Sequence, residues 1–239
     1  MKAILLSAGR GSRLLPLTES RPKCLLPVQG TTLLGHQLDT LEAAGLRDVT
    51  VVTGFLPDLV EAEIAQRTGP LKAKPFFNPF FQVADNLASC WMVREQMEGD
   101  FLLINGDTLF SLDLLGKVID APPAPILVTI DQKDSYDQDD MKVTLSGTRL
   151  TGIGKSLLPP ETHAESIGML RFVGAGPQIF REKLDQMMRT QDGIHAWFLK
   201  AINAIATTSG GVETVLIRGH RWAEVDTVAD FEALTSQGF

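Results

Sequence analysis

Along the first half of the chain, short apolar runs alternate with segments whose apolar residues recur every three or four positions. Ala3-Ile4-Leu5-Leu6 is an unbroken apolar run that stops at a glycine-bearing loop, the pattern of a strand buried on both faces. Over residues 32–44, Leu34, Leu38 and Leu41 share one helical face, and Gly45 follows as a C-terminal cap. Residues 49–53 are rich in β-branched side chains and end at Gly54, which predicts a second strand; a helix over 58–66 and a third strand over 73–77 follow. Residues 85–97 read as a helix capped by Asp85 or Asn86, and 101–104 as a fourth buried strand running into Asn105-Gly106-Asp107.

The rhythm changes after Ala121. Residues 126–130, 142–145, 150–153 and 167–172 are short strand-like runs separated by polar turns, and a loop is expected over the proline-rich 121–125. Two helices (178–188 and 196–206), a strand (212–217) and a closing helix over 228–234 capped by Thr227 complete the pattern. The expectation is an α/β fold: a Rossmann-like mixed, mostly parallel sheet with helices on both faces and antiparallel additions in the second half, within a single domain over 1–239.

Composition narrows the chemistry. Hydrophobic residues at 44% and charged residues at 21% are ordinary for a folded chain. A formal charge of −7 disfavours nonspecific nucleic-acid binding, which needs a basic footprint, but does not forbid an anionic substrate held by a local cluster of cations. Cys24 and Cys90 give no disulfide framework, and the four histidines are too scattered for a zinc site. Arg10 and Arg13 interrupt the first apolar run before a signal peptide could form, and no stretch approaches the ~20 apolar residues of a membrane span, so a cytoplasmic protein with no membrane partner is expected. Oligomeric state is not written in the sequence.

The segment Ser7-Ala8-Gly9-Arg10-Gly11-Ser12-Arg13 directly follows the first strand. Glycines there let backbone N–H groups approach a phosphate, and Arg13 adds a forked cation. Arg21-Pro22-Lys23 supplies a second cationic pair. A dinucleotide fingerprint would need a glycine where Leu14 stands, and Gly154-Lys155-Ser156 lacks the earlier glycine of a Walker loop, Arg149 occupying that position.

The whole string from Leu6 through Arg13-Leu14-Leu15-Pro16-Leu17-Thr18, continued by Arg21-Pro22-Lys23-Cys24-Leu25-Leu26-Pro27-Val28, resembles the signature of the nucleotidyltransferase superfamily, which includes sugar-1-phosphate nucleotidyltransferases and bacterial CTP:phosphocholine cytidylyltransferases. Ser7 departs from the alanine more common there. The resemblance implies that Leu6, Ser7, Ala8, Gly9, Gly11 and Ser12 bind the nucleotide, that Arg13 holds the β- and γ-phosphates, and that Lys23 contacts the α-phosphate region. It also implies Mg²⁺ as cofactor, held by Asp107, which follows a buried strand, and by Asp226 in Trp222-Ala223-Glu224-Val225-Asp226-Thr227; Asp107 would serve the nucleotide as well. Lys155 matches the lysine aimed at the attacking phosphate of the acceptor.

The stretch around Asn78, Asn86 and Ser89 looks like the base-reading segment of the cytidylyltransferase branch, which favours CTP; Asn86 could serve instead as a helix cap. Asp140, Lys142 and Glu165 fall where such proteins face the acceptor. Carboxylates there suit a cationic amine such as phosphocholine, phosphoethanolamine or 2-aminoethylphosphonate, and Tyr136, Trp91 or Trp222 could lend an aromatic face. The alternatives are a sugar-1-phosphate uridylyl- or guanylyltransferase, and a regulatory nucleotide-binding module without chemistry, against which intact Arg13, Lys23, Asp107 and Asp226 argue.

Overall fold

A computed structural model describes residues 1–208 and 210–239. The chain opens with β1 (Lys2–Leu6), a hairpin of β2 (Pro27–Val28) and β3 (Thr31–Thr32), and α1 (Leu33–Ala43). The hydroxyl of Thr32 accepts from the N–H of Gly35 and so caps α1. There follow β4 (Asp48–Thr53), α2 (Pro57–Ala65), β5 (Lys72–Phe77), α3 (Asn86–Met92), β6 (Phe101–Asn105), β7 (Thr108–Phe110) and α4 (Leu112–Asp120). The second half supplies β8 (Ile126–Asp131), β9 (Lys142–Ser146), β10 (Arg149–Ile153), β11 (Ala164–Phe172), α5 (Gly176–Met188) and α6 (Phe198–Thr208). It closes with β12 (Val212–Leu216), β13 (Trp222–Glu224) and α7 (Val228–Gln237).

Nine strands make one sheet in the order β5-β4-β1-β6-β11-β8-β12-β10-β9. β11 and β10 run against the others; β4, β5 and β6 pair parallel to their neighbours around β1, and β12 pairs parallel to β8. The mixed sheet with its antiparallel part in the second half is the arrangement the sequence predicts. Alternation along β1 and β6 explains the two-sided core. Ile4 and Leu103 face a layer that includes Phe180 and Ile202 of α5 and α6. Ala3, Leu5, Leu102 and Ile104 face a layer with Leu34 and Leu38 of α1 and Leu114 of α4. Each of the larger side chains among them, wholly withdrawn from water, contributes roughly 1.5–3 kcal/mol of burial. Among the described residues no helix is long and apolar enough to cross a membrane.

Several elements depart from the predicted pattern: the short strands β2, β3 and β7 are not expected, and three further differences have a physical reason. The helix expected over 85–97 stops at Met92, where the Arg94 side chain takes the Trp91 carbonyl and a 3-10 turn over Arg94–Gln96 follows. The helix α4 went unpredicted although Leu114, Leu115 and Val118 are buried on one face. Its C-terminal carbonyls of Val118 and Ile119 accept from the buried guanidinium of Arg171, which also binds the carbonyls of Ala121 and Pro122. Finally, β11 begins at Ala164 rather than Ile167, because Ala164 and Glu165 pair with β9 before a break in register between Ser166 and Leu170. Gly168 lies in that break at φ 73°, and a Cβ there would come within 2.4 Å of the Asn105 amide, so glycine is required.

Candidate active site

The loop after β1 is pinned at both sides of the strand head. Ser7 donates its N–H to Val52, and Gly106 and Phe55 donate theirs to the carbonyls of Leu6 and Ala8. Gly11 turns the chain at φ 74° into a 3-10 turn, Ser12–Leu14, that presents Arg13. A Cβ on Gly11 would lie 2.9 Å from Cβ of Lys23, so this glycine lets the two cationic segments pack together. Among the described residues no protein acceptor takes the N–H of Gly9, Arg10 or Gly11, which leaves these amides as donors for an anion.

Asp107 enters from the turn after β6 and Asp226 from the end of β13, two strands joined through the β7–β13 pairing and by the N–H of Val225 donating to the Asp107 carbonyl. They converge on one lysine. Lys23 Nζ lies 2.7 Å from Asp107 Oδ2 and 2.5 Å from Asp226 Oδ1, and Arg13 donates to Asp226 Oδ2 at 2.7 Å. Burial, the largest single influence on Lys23, would lower its pKa, but the two carboxylates more than offset it and hold it above its ordinary value. Burial likewise pushes Asp226 up, and Lys23, Arg13 and Lys155 together bring it below the usual carboxylate range.

Glu224 is the member of this cluster the sequence reading passed over. Asp107, Glu224 and Asp226 each offer an oxygen, all within 4.8 Å of one another. Glu224 stands in an open cleft where water reaches it, yet protein crowds it on most sides; that desolvation, then the charges of Asp107 and Asp226, push its carboxyl up to about 8. Asp107 Oδ1 is buried with no hydrogen-bond partner in the protein. An orphaned carboxylate oxygen beside two further carboxylates is a hard-oxygen donor set that fits Mg²⁺. Its signal in the sequence was the Glu-x-Asp spacing, which puts both side chains on one face of an extended segment.

Two confluent cavities open above the cluster. The first, about 380 Å³, is lined by Leu6, Ala8, Gly9 and Arg13 on one side and by Asn86, Ser89 and Asp107 on the other. Ser7 lies beneath, buried, in a cleft shared with Lys23 and Asp107. Gly11 and Ser12 shape the Arg13 turn instead of lining this cavity. Asn78 departs from its expected part: it is fully buried, accepts from the N–H of Phe80 and donates to Ser89, so it braces the wall. Asn86 does not cap its own helix. Its Oδ1 accepts from the N–H of Phe198 at the start of α6, which leaves the amide N–H donors for the cavity. Asp85, the N-cap residue of α3 by position, makes no side-chain cap bond.

The second cavity, about 420 Å³, holds Lys155, Asp139, Asp140 and Glu165, with Trp197 and Asn105 at the junction with the first. Lys155 lies 3.3 Å from Asp139 and 4.8 Å above the Trp197 ring; Asp139 is in turn 3.2 Å from Arg13. Lys142 departs from its expected role, being 3% exposed and bonded to the carbonyls of Asp137 and Asp140 beneath the acidic turn. Asp140 and Glu165 do reach the cavity, but they share the ammonium of Lys133, at 2.7 and 3.1 Å. Of the aromatic candidates, Trp222 lines the cavity and donates to Asp131, whereas Trp91 lies elsewhere, stacked under Arg94.

Comparison with known proteins agrees with this geometry. Residues 3–138 match the family described as MobA-like NTP transferase domain. The chain is 34% identical over 124 residues to CMP-5'-(3-aminopropyl)phosphonate synthase of Streptomyces rubellomurinus, covering 52% of this chain but 20% of that much longer protein. It is 23% identical to CTP:phosphoglutamine cytidylyltransferase of Campylobacter jejuni over 97% of this chain and 98% of the other. The structure of CTP:phosphocholine cytidylyltransferase from Streptococcus pneumoniae superposes with a TM-score of 0.81 at 19% identity, covering 99% and 98% of the two chains, which shows a shared fold. Sugar-phosphate uridylyltransferases are among the relatives as well. The phosphate loop, the lysine between two aspartates and the matched residues together make this chain a nucleotidyltransferase belonging to the MobA-like NTP transferase domain family.

Proposed function

We propose that this protein, acting as a single domain over residues 1–239, is a Mg²⁺-dependent cytidylyltransferase that moves CMP from CTP to a small acceptor bearing a phosphate or phosphonate. The observation that carries the reading is the convergence on Lys23 of Asp107, which lines one cavity, and Asp226, which lines the other. One cavity suits the nucleotide and the other the acceptor. An acceptor phosphate or phosphonate oxygen attacks the α-phosphorus, the bond from that phosphorus to the bridging α–β oxygen breaks, and pyrophosphate leaves. The attacking oxygen is already ionised, so no general base is needed. Mg²⁺, held by Asp107 and Asp226 with Glu224 beside them, would neutralise phosphate charge. Lys23 and Arg13 supply fixed positive charge where negative charge builds on the α- and the leaving phosphates, and Lys155 orients the acceptor.

CTP is supported by the two cytidylyl-transferring relatives described above, while the amide donors of Asn86 match acceptor atoms on a pyrimidine edge, cytosine or uracil. Uridylyl transfer to a sugar-1-phosphate is the second reading, favoured by the uridylyltransferases among the relatives. Pyrophosphate release measured with each of the four NTPs against phosphonate, phosphomonoester and sugar-1-phosphate acceptors separates the two. CTP with a phosphonate or phosphomonoester is the expected productive pair, UTP with a sugar-1-phosphate would establish the second reading, and NTP binding without release from any pair would overturn both.

A further inference from the structure

The larger cavity carries a cation of the protein's own. Lys133 extends from the segment after β8, and its ammonium lies 2.7 Å from Asp140 Oδ1 and 3.1 Å from Glu165 Oε2, with the Tyr136 ring centroid 5.9 Å away. Both carboxylates are sheltered, their side chains 10% exposed, whereas Lys133 is 38% exposed and reaches in from the rim. Two sheltered carboxylates beside an aromatic face are what a pocket for an alkylammonium ligand provides. Here a lysine already stands among them.

We propose that Lys133 is a specificity-determining residue for the acceptor. Its ammonium fills the cation subsite formed by Asp140, Glu165 and Tyr136, so the cavity takes a phosphorylated or phosphonylated acceptor whose far end is a neutral hydroxyl or amide, not an amine. The inference rests on the nucleotidyl-transfer reading and deepens it. A second ammonium would meet Lys133 at close range as a like charge, while a hydroxyl can accept from Lys133 and donate to a carboxylate oxygen. Burial raises Glu165 to about 7 even with Lys133 opposing it, so the cluster lies near neutrality and gains little from another positive charge. A device of this kind selects by occupying the wrong ligand's place.

The test uses acceptors that differ only at the far end: 2-hydroxyethylphosphonate and 2-aminoethylphosphonate, with phosphocholine as the bulkier cation. Their kcat/KM values are measured with CTP and Mg²⁺ for wild type, K133M and K133R. Wild type is expected to favour the hydroxyl compound by about tenfold or more, K133M to shift that ratio toward the two cationic acceptors by about tenfold or more, and K133R to keep the wild-type order. A wild type that prefers the amine, or a ratio unmoved in K133M, overturns the proposal. Should K133M fail to fold, K133Q serves the same purpose. Failure of every acceptor to release pyrophosphate would count against nucleotidyl transfer itself. Calorimetry with the same phosphonates then decides the Lys133 role: tighter amine binding to K133M than to wild type supports it, and equal binding overturns it.

Discussion

Lys23 places its ammonium 2.7 Å from the carboxylate of Asp107, across two segments that no local turn connects. The contact is three-cornered, because Asp226 closes on the same nitrogen. Lys23 therefore neutralises carboxylates that would otherwise repel each other, and under the proposed function it also fixes positive charge beside the cavity assigned to the nucleotide.

Replacing Lys23 with methionine separates these roles. Removing one partner of a sheltered charge cluster leaves the remaining carboxylates uncompensated, at a cost on the order of 2–4 kcal/mol. The melting temperature is expected to fall and to recover in part when Mg²⁺ is added, since a bound ion replaces the lost positive charge. Turnover should not recover with it, because the charge facing the α-phosphate is gone. Melting curves with and without Mg²⁺, read beside steady-state pyrophosphate release, check this; full recovery of both by metal would show that Lys23 only balances charge.

Asp107→Asn keeps the shape of the side chain and removes its charge. The buried Oδ1, which has no partner in the protein, then loses its capacity to hold a cation. A fall in kcat on the order of 100-fold or more is expected, together with weaker protection by Mg²⁺ against thermal unfolding. Near-normal kcat at saturating Mg²⁺ would remove Asp107 from the metal site.

How far the sequence reaches is visible in these residues. Asp107 and Arg13 were legible because each follows directly from a buried strand or its loop, where chain order alone sets position. Asp226 was legible only through the family resemblance, and Lys23 only as one of a cationic pair, since their meeting depends on the β7–β13 pairing. Lys133 carried no motif, its importance arising from non-local contacts with Asp140 and Glu165; Glu224 had only its two-residue spacing from Asp226, and its place in the cluster depends on the distant Asp107. Asn78 and Lys142 were misplaced for a related reason, burial being a property of the tertiary packing around them. The helix α4 was missed although its apolar positions were in plain view, and its end is capped by Arg171 from a distant strand.

Asp139 lies between Arg13 and Lys155, at 3.2 and 3.3 Å, where its carboxylate takes contacts that substrate phosphates would need. Its side chain is 71% exposed, so these pairs add less than about 1 kcal/mol to stability. Asp139→Asn is accordingly expected to leave the melting temperature within a degree or two. The KM for CTP and for the acceptor should fall a few-fold, as Arg13 and Lys155 are freed. A rise in KM for both substrates would show that the carboxylate positions the two cations and does not compete for them.

Glu165 gives the fold a pH dependence of its own. Burial raises its carboxyl to about 7 in the folded protein, above the ordinary value near 4.5, with Lys133 opposing the rise and Asp140 adding to it. Between those two values the unfolded chain has released the proton and the folded chain has not, so the folded state binds more protons and stability falls as pH rises. The loss begins near pH 4.5 and is complete above about pH 7–8. Glu165→Gln has no such proton to lose. In denaturant unfolding at pH 5 and pH 8, wild type should therefore lose stability relative to Glu165→Gln by on the order of 1–3 kcal/mol, with most other titrations cancelling in the difference. Lys133 and Asp140 touch Glu165 and do not cancel fully, but although burial works against the charge on each, their mutual bond outweighs it, holding Lys133 above and Asp140 below the ordinary value, so both stay charged across this range. A difference between the two proteins that is flat from pH 5 to 8 would mean that Glu165 is ionised throughout, held so by Lys133.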